Sequence, residues 1–506
     1  MTGQARAQDA RGGRGAASAG HALVSDAVPQ RAMSPRKTRI REMADRLAPE
    51  RDRWIARNAF YYEQDEAYLR FLVPDGLRVL DLGCGTGRLL AALKPLRGVG
   101  VDLSPAMVEL ARRAHPEQEF VVGDAEDSAF IDSLEGPFDV IVLSDTIGSM
   151  EDCQAALENL HCLCTPDTRL VIAYYSRAWE PLLRAGELFG QKMQIMQQNW
   201  LSTEDITALL RLADFEVIKR EWRQLLPKRW LGLGKLVNSY LAPWPVVRRA
   251  CLRNYVVARS RRAPRPAWLS TTVLVPCRNE RGNIESVVTR LPRFCEDIEI
   301  LFVEGHSKDG TLDEIRRVIA AYPQYDIKVL MQPGKGKGDA VRAGFAVARG
   351  DILMILDADL TTPPEWMPKF YHAIATGKGE FASGSRLVYP MEDEAMQFLN
   401  YLANRVFSWL FTWLLNQRFT DTLCGTKVLR KSHYEQIAAN RAYFGDFDPF
   451  GDFDLIFGAA KLNLKVVEIP VAYASRTYGE TQISRFRHGW LLLRMVVFAF
   501  RKPKAF

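Results

Sequence analysis

Residues 354–366, "MILDADLTTPPEW", carry an apolar run straight into two aspartates one residue apart. At a strand end, Asp357 and Asp359 point to the same side. Like charges this close raise each other's proton affinity and resist burial unless a cation lies between them. Carboxylate oxygens suit Mg2+ or Mn2+, ions that keep phosphate oxygens and water as their remaining ligands. The chemistry implied is stabilisation of a diphosphate as it leaves. Taken alone the pair equally fits two solvated turn residues, so the surrounding motifs decide.

Those motifs come in order along the chain. "VLVPCRNERGNI" (273–284) ends a strand at Pro276 and then presents Asn279 and Glu280. "VEGHSKDGT" (303–311) follows the next strand with Glu304 and sets Asp309 before a helix start. "PGKGKGDAVRAG" (333–344) places Lys337 among glycines, where a diphosphate would meet backbone amides, and "GSR" (384–386) supplies Arg386.

A second constellation lies upstream. "DLGCGTG" (81–87) sets Gly83, Gly85 and Gly87 directly after a strand. Glycines there let the backbone turn tightly and approach a ligand. Asp102, about 20 residues on at the end of the next strand, is positioned to bond ribose hydroxyls. The spacing departs from a nicotinamide fingerprint, which has a third glycine three residues after the second. Ser144-Asp145 ends the fourth strand, where acceptor chemistry or cofactor packing both fit. His161, in "ALENLHCLC", reads as a helix residue, and no catalytic base is singled out.

The elements that must position these residues fall into two blocks of alternating strands and helices, the sign of parallel α/β sheets. Strands are expected at 77–83, 98–104, 120–127, 138–145, 168–175, 215–225 and 253–260, then at 271–277, 298–305, 327–333, 351–359 and 465–473. The Arg/Pro-rich "ARSRRAPRPAWLS" (258–270) separates the blocks. The fold expected is two Rossmann-like α/β domains, at 41–260 and 271–506, with a tail at 1–40 and a linker at 261–270.

Bulk composition is compatible with this. A chain of 506 residues is too long for one core. Its 47% hydrophobic and 25% charged residues are those of a globular protein, and a net charge of +7 permits anionic partners without selecting one. The eight cysteines show no zinc-clamp spacing and read as reduced thiols. The first 30 residues hold no apolar signal core. Two segments approach membrane character: 398–416, interrupted by Asn404-Arg405, and 490–500, followed by basic residues. They suit a membrane surface flanked by basic residues, or a dimer interface or core cap. The basic, Trp-containing stretch 226–254 suits an acceptor shield, lipid contact or ordinary packing. The expected location is cytoplasmic, peripheral on the cytoplasmic face of the membrane.

The glycine motif in its setting, over residues 50–260, resembles class I S-adenosylmethionine-dependent methyltransferases. That resemblance implies that Asp81, Gly83, Gly85 and Gly87 meet the methionine end of S-adenosylmethionine, Asp102 its ribose, and Asp124 with Ala125 its adenine. The ordered motifs of residues 271–490 resemble family 2 glycosyltransferases of the dolichyl-phosphate mannosyltransferase and polyprenyl-phosphate type, which implies a GT-A fold and inverting transfer. Pro276, Asn279, Glu280 and Asp309 would then line the base and ribose of a nucleotide sugar, and Asp357 with Asp359 would hold the metal. Glu304, Lys337 and Arg386 join the donor set. Asp421 and the Gly425 turn match a segment near the acceptor, Asp454 (or Asp452) the acidic catalytic position, and "SRTYGET" (475–481) the element whose Arg476 meets phosphate. Glu304-Gly305 stand where the family has two aspartates, and Gln482 where it has lysine.

A lipid phosphate is already anionic and needs cationic guides more than a base; Arg386, Arg405, Arg430, Arg476, Arg485 and Arg487 follow the metal motif. The expected protein is bifunctional, transferring a sugar to a lipid-phosphate or glycan acceptor and a methyl group in the same pathway. The alternative keeps one domain catalytic and the other for binding or targeting. A nucleic-acid partner is not expected, because the Asn/Asp-Pro-Pro-aromatic signature of amino-methylating DNA enzymes is missing. The sequence assigns no oligomeric state.

Overall fold

The computed structural model describes residues 33–193, 198–265, 268–389, 398–441, 452–474, 476, 478, 493, 494, 496, 497 and 500. Short runs of Val, Leu and Ile form two seven-stranded sheets, each buried on both faces, as parallel strands require. The first contains β1 (Arg78–Leu82), β2 (Arg97–Asp102), β3 (Glu119–Val122), β4 (Phe138–Ser144), β5 (Cys164–Tyr175), β6 (Phe215–Arg223) and β7 (Arg253–Ser260). Its order is β3-β2-β1-β4-β5-β7-β6, with β7 antiparallel to both neighbours. The second contains β8 (Thr271–Cys277), β9 (Ile298–Glu304), β10 (Asp326–Met331), β11 (Ile352–Ile355), β12 (Phe381–Ser385), β13 (Lys427–Arg430) and β14 (Val466–Pro470), in the order β10-β9-β8-β11-β13-β12-β14. The expected fold class holds. In each sheet the order reverses beside the first strand, between β1 and β4 and between β8 and β11. Ligands collect outside the carboxyl ends of strands at such points.

Three differences from the sequence reading stand out. A helix at Pro35–Leu47 begins inside the expected tail: Ser34 caps it by accepting from the Lys37 amide at 3.1 Å, and Pro35 fits its first turn. β13 is a strand in a stretch read from the sequence as more helical; it lies between β11 and β12 and is antiparallel to both. The strand expected at 351–359 ends at Ile355, which leaves Asp357 and Asp359 on the loop beyond it.

Helix Phe398–Leu415 is two-sided. Asn404, Ser408, Phe411 and Leu415 are buried, which bears out a core cap, while Leu402, Val406 and Trp409 face outward. Among the described residues no helix is long and apolar enough to cross a membrane. Most of 490–500, with Arg485 and Arg487, lies outside the described residues.

The two sheets meet through the ends opposite their ligand crevices. Arg169, near the start of β5, donates to Glu380 at 2.9 Å and to the Asn463 carbonyl at 3.0 Å. Arg259, at the matching end of antiparallel β7, donates to the Gly377 carbonyl at 2.7 Å and lies 3.4 Å from Glu380. Glu380 directly precedes β12, and His433 reaches Asp167 at 3.0 Å. All three members of the Arg169–Glu380–Arg259 triad are buried. Burial alone would raise the Glu380 pKa, but Arg169 and Arg259 outweigh it and hold the carboxyl below its usual range.

Breaking such a triad leaves charge buried without compensation. Glu380→Ala should therefore destabilise the full chain by about 3–5 kcal/mol in urea unfolding. Because the folded-state pKa is depressed, the stabilisation from Glu380 is present above the ordinary carboxylate range and is lost as pH falls through the folded value. The difference between wild type and variant should shrink in acid.

Candidate active sites

The first crevice is shaped by glycine geometry. Gly83, Gly85 and Gly87 take φ values of 81°, 54° and 76°, which side chains resist. A Cβ on Gly83 would collide with Thr146, whereas one on Gly85 would meet nothing, so the loop is open at that position. Asp102 accepts from the amides of Gly85 and Ser104, both at 2.9 Å, and thereby ties the loop to the end of β2. Burial raises the Asp102 pKa.

Asp81 is the most telling group. It is 1% exposed, and neither carboxylate oxygen has a hydrogen-bond partner. Burial first, then the Asp102 charge, pushes its pKa up to about 7. An orphaned buried acid beside a glycine loop is what a cationic ligand group would complete. The residues present therefore fit S-adenosylmethionine, whose methionine end is cationic.

Helices before β1 cover this edge, a part of the site that the sequence reading missed. Asp45 accepts from the Ser104 hydroxyl at 2.5 Å and Asp52 from that of Thr86 at 3.1 Å, while Glu66 pairs with Arg88. Lys37 forms ion pairs with Asp124 and Glu126, so Asp124, expected at the adenine, is tied to the cover; Ala125 lies next to it, half-buried. Capping signals at Ser34-Pro35 were the available clue.

Just beyond β4, Asp145 adopts φ 63° and pairs with the fully buried Arg253. Arg253 also holds Asp65 through two bonds of 2.9 and 3.0 Å and bonds Ser144 at 3.0 Å. Burial raises the Asp145 pKa against the pull of Arg253. A small pocket between Asp145, Tyr175, Asn199 and Trp200 opens here. His161 lies elsewhere: it bonds Ser260 at 2.7 Å and the Ala213 carbonyl at 2.6 Å and stacks on Phe215, a structural role.

In the second crevice the two acids acquire separate cations. Lys337 lies 2.7 Å from Asp357, and Arg476 lies 2.6 Å from Asp359. Arg476 also reaches Glu280 at 3.1 Å, bridging the ends of β8 and β11. Asp359 is oriented by the amide and hydroxyl of Thr361, at 3.1 and 2.9 Å. A Cβ on Gly425 would strike both Asp357 and Lys337, so the missing side chain leaves a cradle against the carboxylate. Half-exposed hard oxygens with a cradle beside them fit Mg2+ or Mn2+, for which Asp357 and Asp359 are the ligands at hand.

The loops around them are tightly set. Asn279, at φ 56°, accepts from the Lys308 amide at 2.9 Å, and its own amide donates to Ser307 at 2.8 Å. Asp309 accepts from the Arg281 amide, from Thr311 and from the Tyr478 hydroxyl; burial would raise its pKa, but these bonds outweigh it and lower it. Burial raises the Glu280 pKa, against bonds from Asn283 and Arg476. Pro276 is half-buried in β8, opposite Val303.

Three expected contacts resolve differently. Glu304 is 1% exposed and accepts from the amides of His306 and Ser307 at 3.0 and 2.7 Å, so it shapes the loop instead of reaching outward. Arg386 forms a fork with buried Asp421 at 2.7 and 2.9 Å; Asn404 joins at 2.8 Å. Burial would raise the Asp421 pKa, but Arg386 brings it down to about 2. The pair is a closed brace and not a free phosphate guide. Asp454 meets Arg441 at 3.1 Å and Arg342 at 3.9 Å, the latter on the helix that begins with Lys337. Asp452 begins the helix Asp452–Lys461. All eight cysteines are free thiols.

Known proteins bear out the two halves. Residues 39–220 match the family model "Methyltransferase domain", and residues 272–437 match "Glycosyl transferase family 2". A dolichol-phosphate mannosyltransferase of Pyrococcus furiosus is 30% identical over 42% of this chain and 59% of its own length. An undecaprenyl-phosphate 4-deoxy-4-formamido-L-arabinose transferase of Aeromonas hydrophila is 31% identical over 21% of this chain and 34% of its own. The chain thus spans about a third to three fifths of these relatives. A SAM-dependent methyltransferase structure from Thermotoga maritima is 22% identical, covering 44% of this chain and all of its own, at a TM-score of 0.34.

The Asp81 environment gives a sign-definite prediction. With a folded pKa of about 7, the native state holds a proton that the unfolded chain releases near pH 4, so this group destabilises progressively as pH rises through that window, by about 1.4 kcal/mol per unit. Asp81→Asn should remove this slope. In urea unfolding the variant should gain stability over wild type between pH 5 and pH 8; a difference independent of pH would contradict the assignment.

Proposed function

We propose that the chain joins two transferases. The C-terminal domain moves a sugar from a nucleotide sugar to a lipid phosphate such as a polyprenyl phosphate, with inversion, and the N-terminal domain moves a methyl group from S-adenosylmethionine within the same pathway. The observation that carries this reading is the acid pair Asp357 and Asp359, each engaged by its own cation at a strand-order reversal. The named relatives, which transfer sugars to dolichol phosphate and undecaprenyl phosphate, support the acceptor class.

Mechanistically, Asn279, Glu280 and Asp309 shape the nucleoside pocket beside Pro276. Lys337 and Arg476 meet the diphosphate and hold the leaving group as the anomeric bond breaks. A divalent cation held by Asp357 and Asp359 would neutralise that diphosphate. The acceptor phosphate is already charged, so attack on the anomeric carbon needs alignment more than proton removal. Arg342 and Arg441, gathered around Asp454, supply positive charge near that path. In the N-terminal domain Asp81 faces the amino group of the methyl donor, Asp102 its ribose, and Asp145 with Ser144 lines the acceptor. The two crevices open away from each other, so an intermediate common to both would travel by release and not through a shared cleft. The working location is the cytoplasmic membrane surface.

The test is direct. Purified chain, supplied with manganese, candidate nucleotide sugars and a short polyprenyl phosphate, should form a glycosylated lipid detected by mass spectrometry. Asp357→Asn, Asp359→Asn or chelation should each cut the rate by about 10²- to 10³-fold. Adding S-adenosylmethionine should then methylate that product or its precursor. Turnover indifferent to chelation and to both variants would refute the sugar-transfer mechanism, and methylation confined to unrelated molecules would refute the shared pathway.

A further inference from the structure

The connection between β6 and β7 belongs to the N-terminal domain and is not used by its chemistry, yet it carries the largest concentration of exposed apolar side chains in the described residues. Trp230, Leu231, Leu236, Tyr240 and Trp244 all face solvent, with Trp230 62% and Leu231 109% exposed. Trp230 and Leu231 are held at φ 37° and 52°, a left-handed conformation that bulky residues avoid. Strained conformations of this kind cluster at functional sites.

Charge on this connection has one sign. Between Glu221 and Glu280 the sequence contains no acidic residue, while Lys228, Arg229, Lys235, Arg248 and Arg249 all fall within 226–250. Arg229 pairs with Glu63 at 3.0 Å and Arg248 lies over Trp222, and Lys235 and Arg249 stand exposed. The same flank continues onto the C-terminal domain. Trp413 donates to the Pro243 carbonyl at 2.8 Å, Arg248 donates to Asn416 at 3.0 Å, and Tyr240 packs beside Phe500. These contacts set the connection against helix Phe398–Leu415, whose outward residues Leu402, Val406 and Trp409 repeat at helical spacing beside exposed Arg405. The inward face of that helix braces Asp421 and Arg386 through Asn404, so the flank adjoins the sugar-transfer site.

We propose that residues 226–250 of the N-terminal domain are a docking surface for an anionic lipid bilayer, forming one continuous membrane-facing flank with helix Phe398–Leu415. Tryptophan and tyrosine suit the interfacial region, exposed leucines enter the acyl boundary, and lysines and arginines meet lipid phosphates. A second copy of this chain is disfavoured as the occupant, because a self-complementary contact would set basic patch against basic patch. The surface thereby places the methyltransferase, not only the sugar transferase, on the membrane. The proposal agrees with a lipid acceptor but requires no sugar transfer.

Flotation of the full chain with vesicles lacking any polyprenyl phosphate separates the two ideas. Wild type should float with phosphatidylcholine vesicles that contain phosphatidylglycerol and bind pure phosphatidylcholine far less. The double variant Trp230→Glu, Leu231→Glu should partition roughly tenfold less well at unchanged thermal stability, because both side chains are exposed. Val406→Glu should weaken flotation as well. Equal flotation of wild type and double variant would overturn the proposal, as would failure of wild type to float. So would a wild-type dimer in light scattering that becomes monomeric in the double variant while neither floats; the patch would then join two copies of the chain.

Discussion

Like-charged carboxylates crowded at strand ends need cations, and this constraint organises both halves of the molecule. In the second crevice Asp357 and Asp359 are satisfied separately, by Lys337 from the helix after β10 and by Arg476 from beyond β14. Four strand ends are thereby drawn to one point, since Arg476 also holds Glu280. In the first crevice the same constraint is left open at Asp81, whose unpartnered oxygens await a positive group. One site is neutralised by its own chain and the other has a gap suited to a cationic ligand.

Charge also decides how the halves are joined. The Arg169–Glu380–Arg259 triad, with His433 on Asp167, clamps the sheets by their non-functional ends. Separating the members of such a triad would leave a buried charge without compensation. The two crevices therefore stay accessible on opposite sides, while the β6–β7 connection and helix Phe398–Leu415 share one flank. The linkage keeps the two crevices apart instead of merging them into one cleft.

Much of this was legible in the sequence because it is local. Strand β7 at 253–260 and strand β8 at 271–277 coincide with their apolar runs, and Ser104-Pro105 starts a helix as its capping chemistry dictates. The glycine loop and the acid pair were readable because backbone conformation and like-charge crowding follow from neighbours in the chain. The rest depends on partners far apart. Nothing near Arg386 announces Asp421 as its mate, and nothing near Glu304 shows that the amides two and three residues on absorb its charge until the loop closes. β13 escaped notice because four residues between two antiparallel partners carry too little periodicity. The helical cover at 35–72 is held by Lys37, Asp45 and Asp52, single polar residues whose contacts exist only in the folded state.

The central claim is that Asp357 and Asp359 together grip a divalent cation alongside a nucleoside diphosphate. Electron paramagnetic resonance titration of Mn2+ in the presence of uridine or guanosine diphosphate measures this without any turnover. The account predicts one tight ion per chain that disappears when both aspartates are changed to asparagine while the fold is retained. Undiminished Mn2+ binding in that double variant, or none in the wild-type chain with either nucleotide, would contradict it.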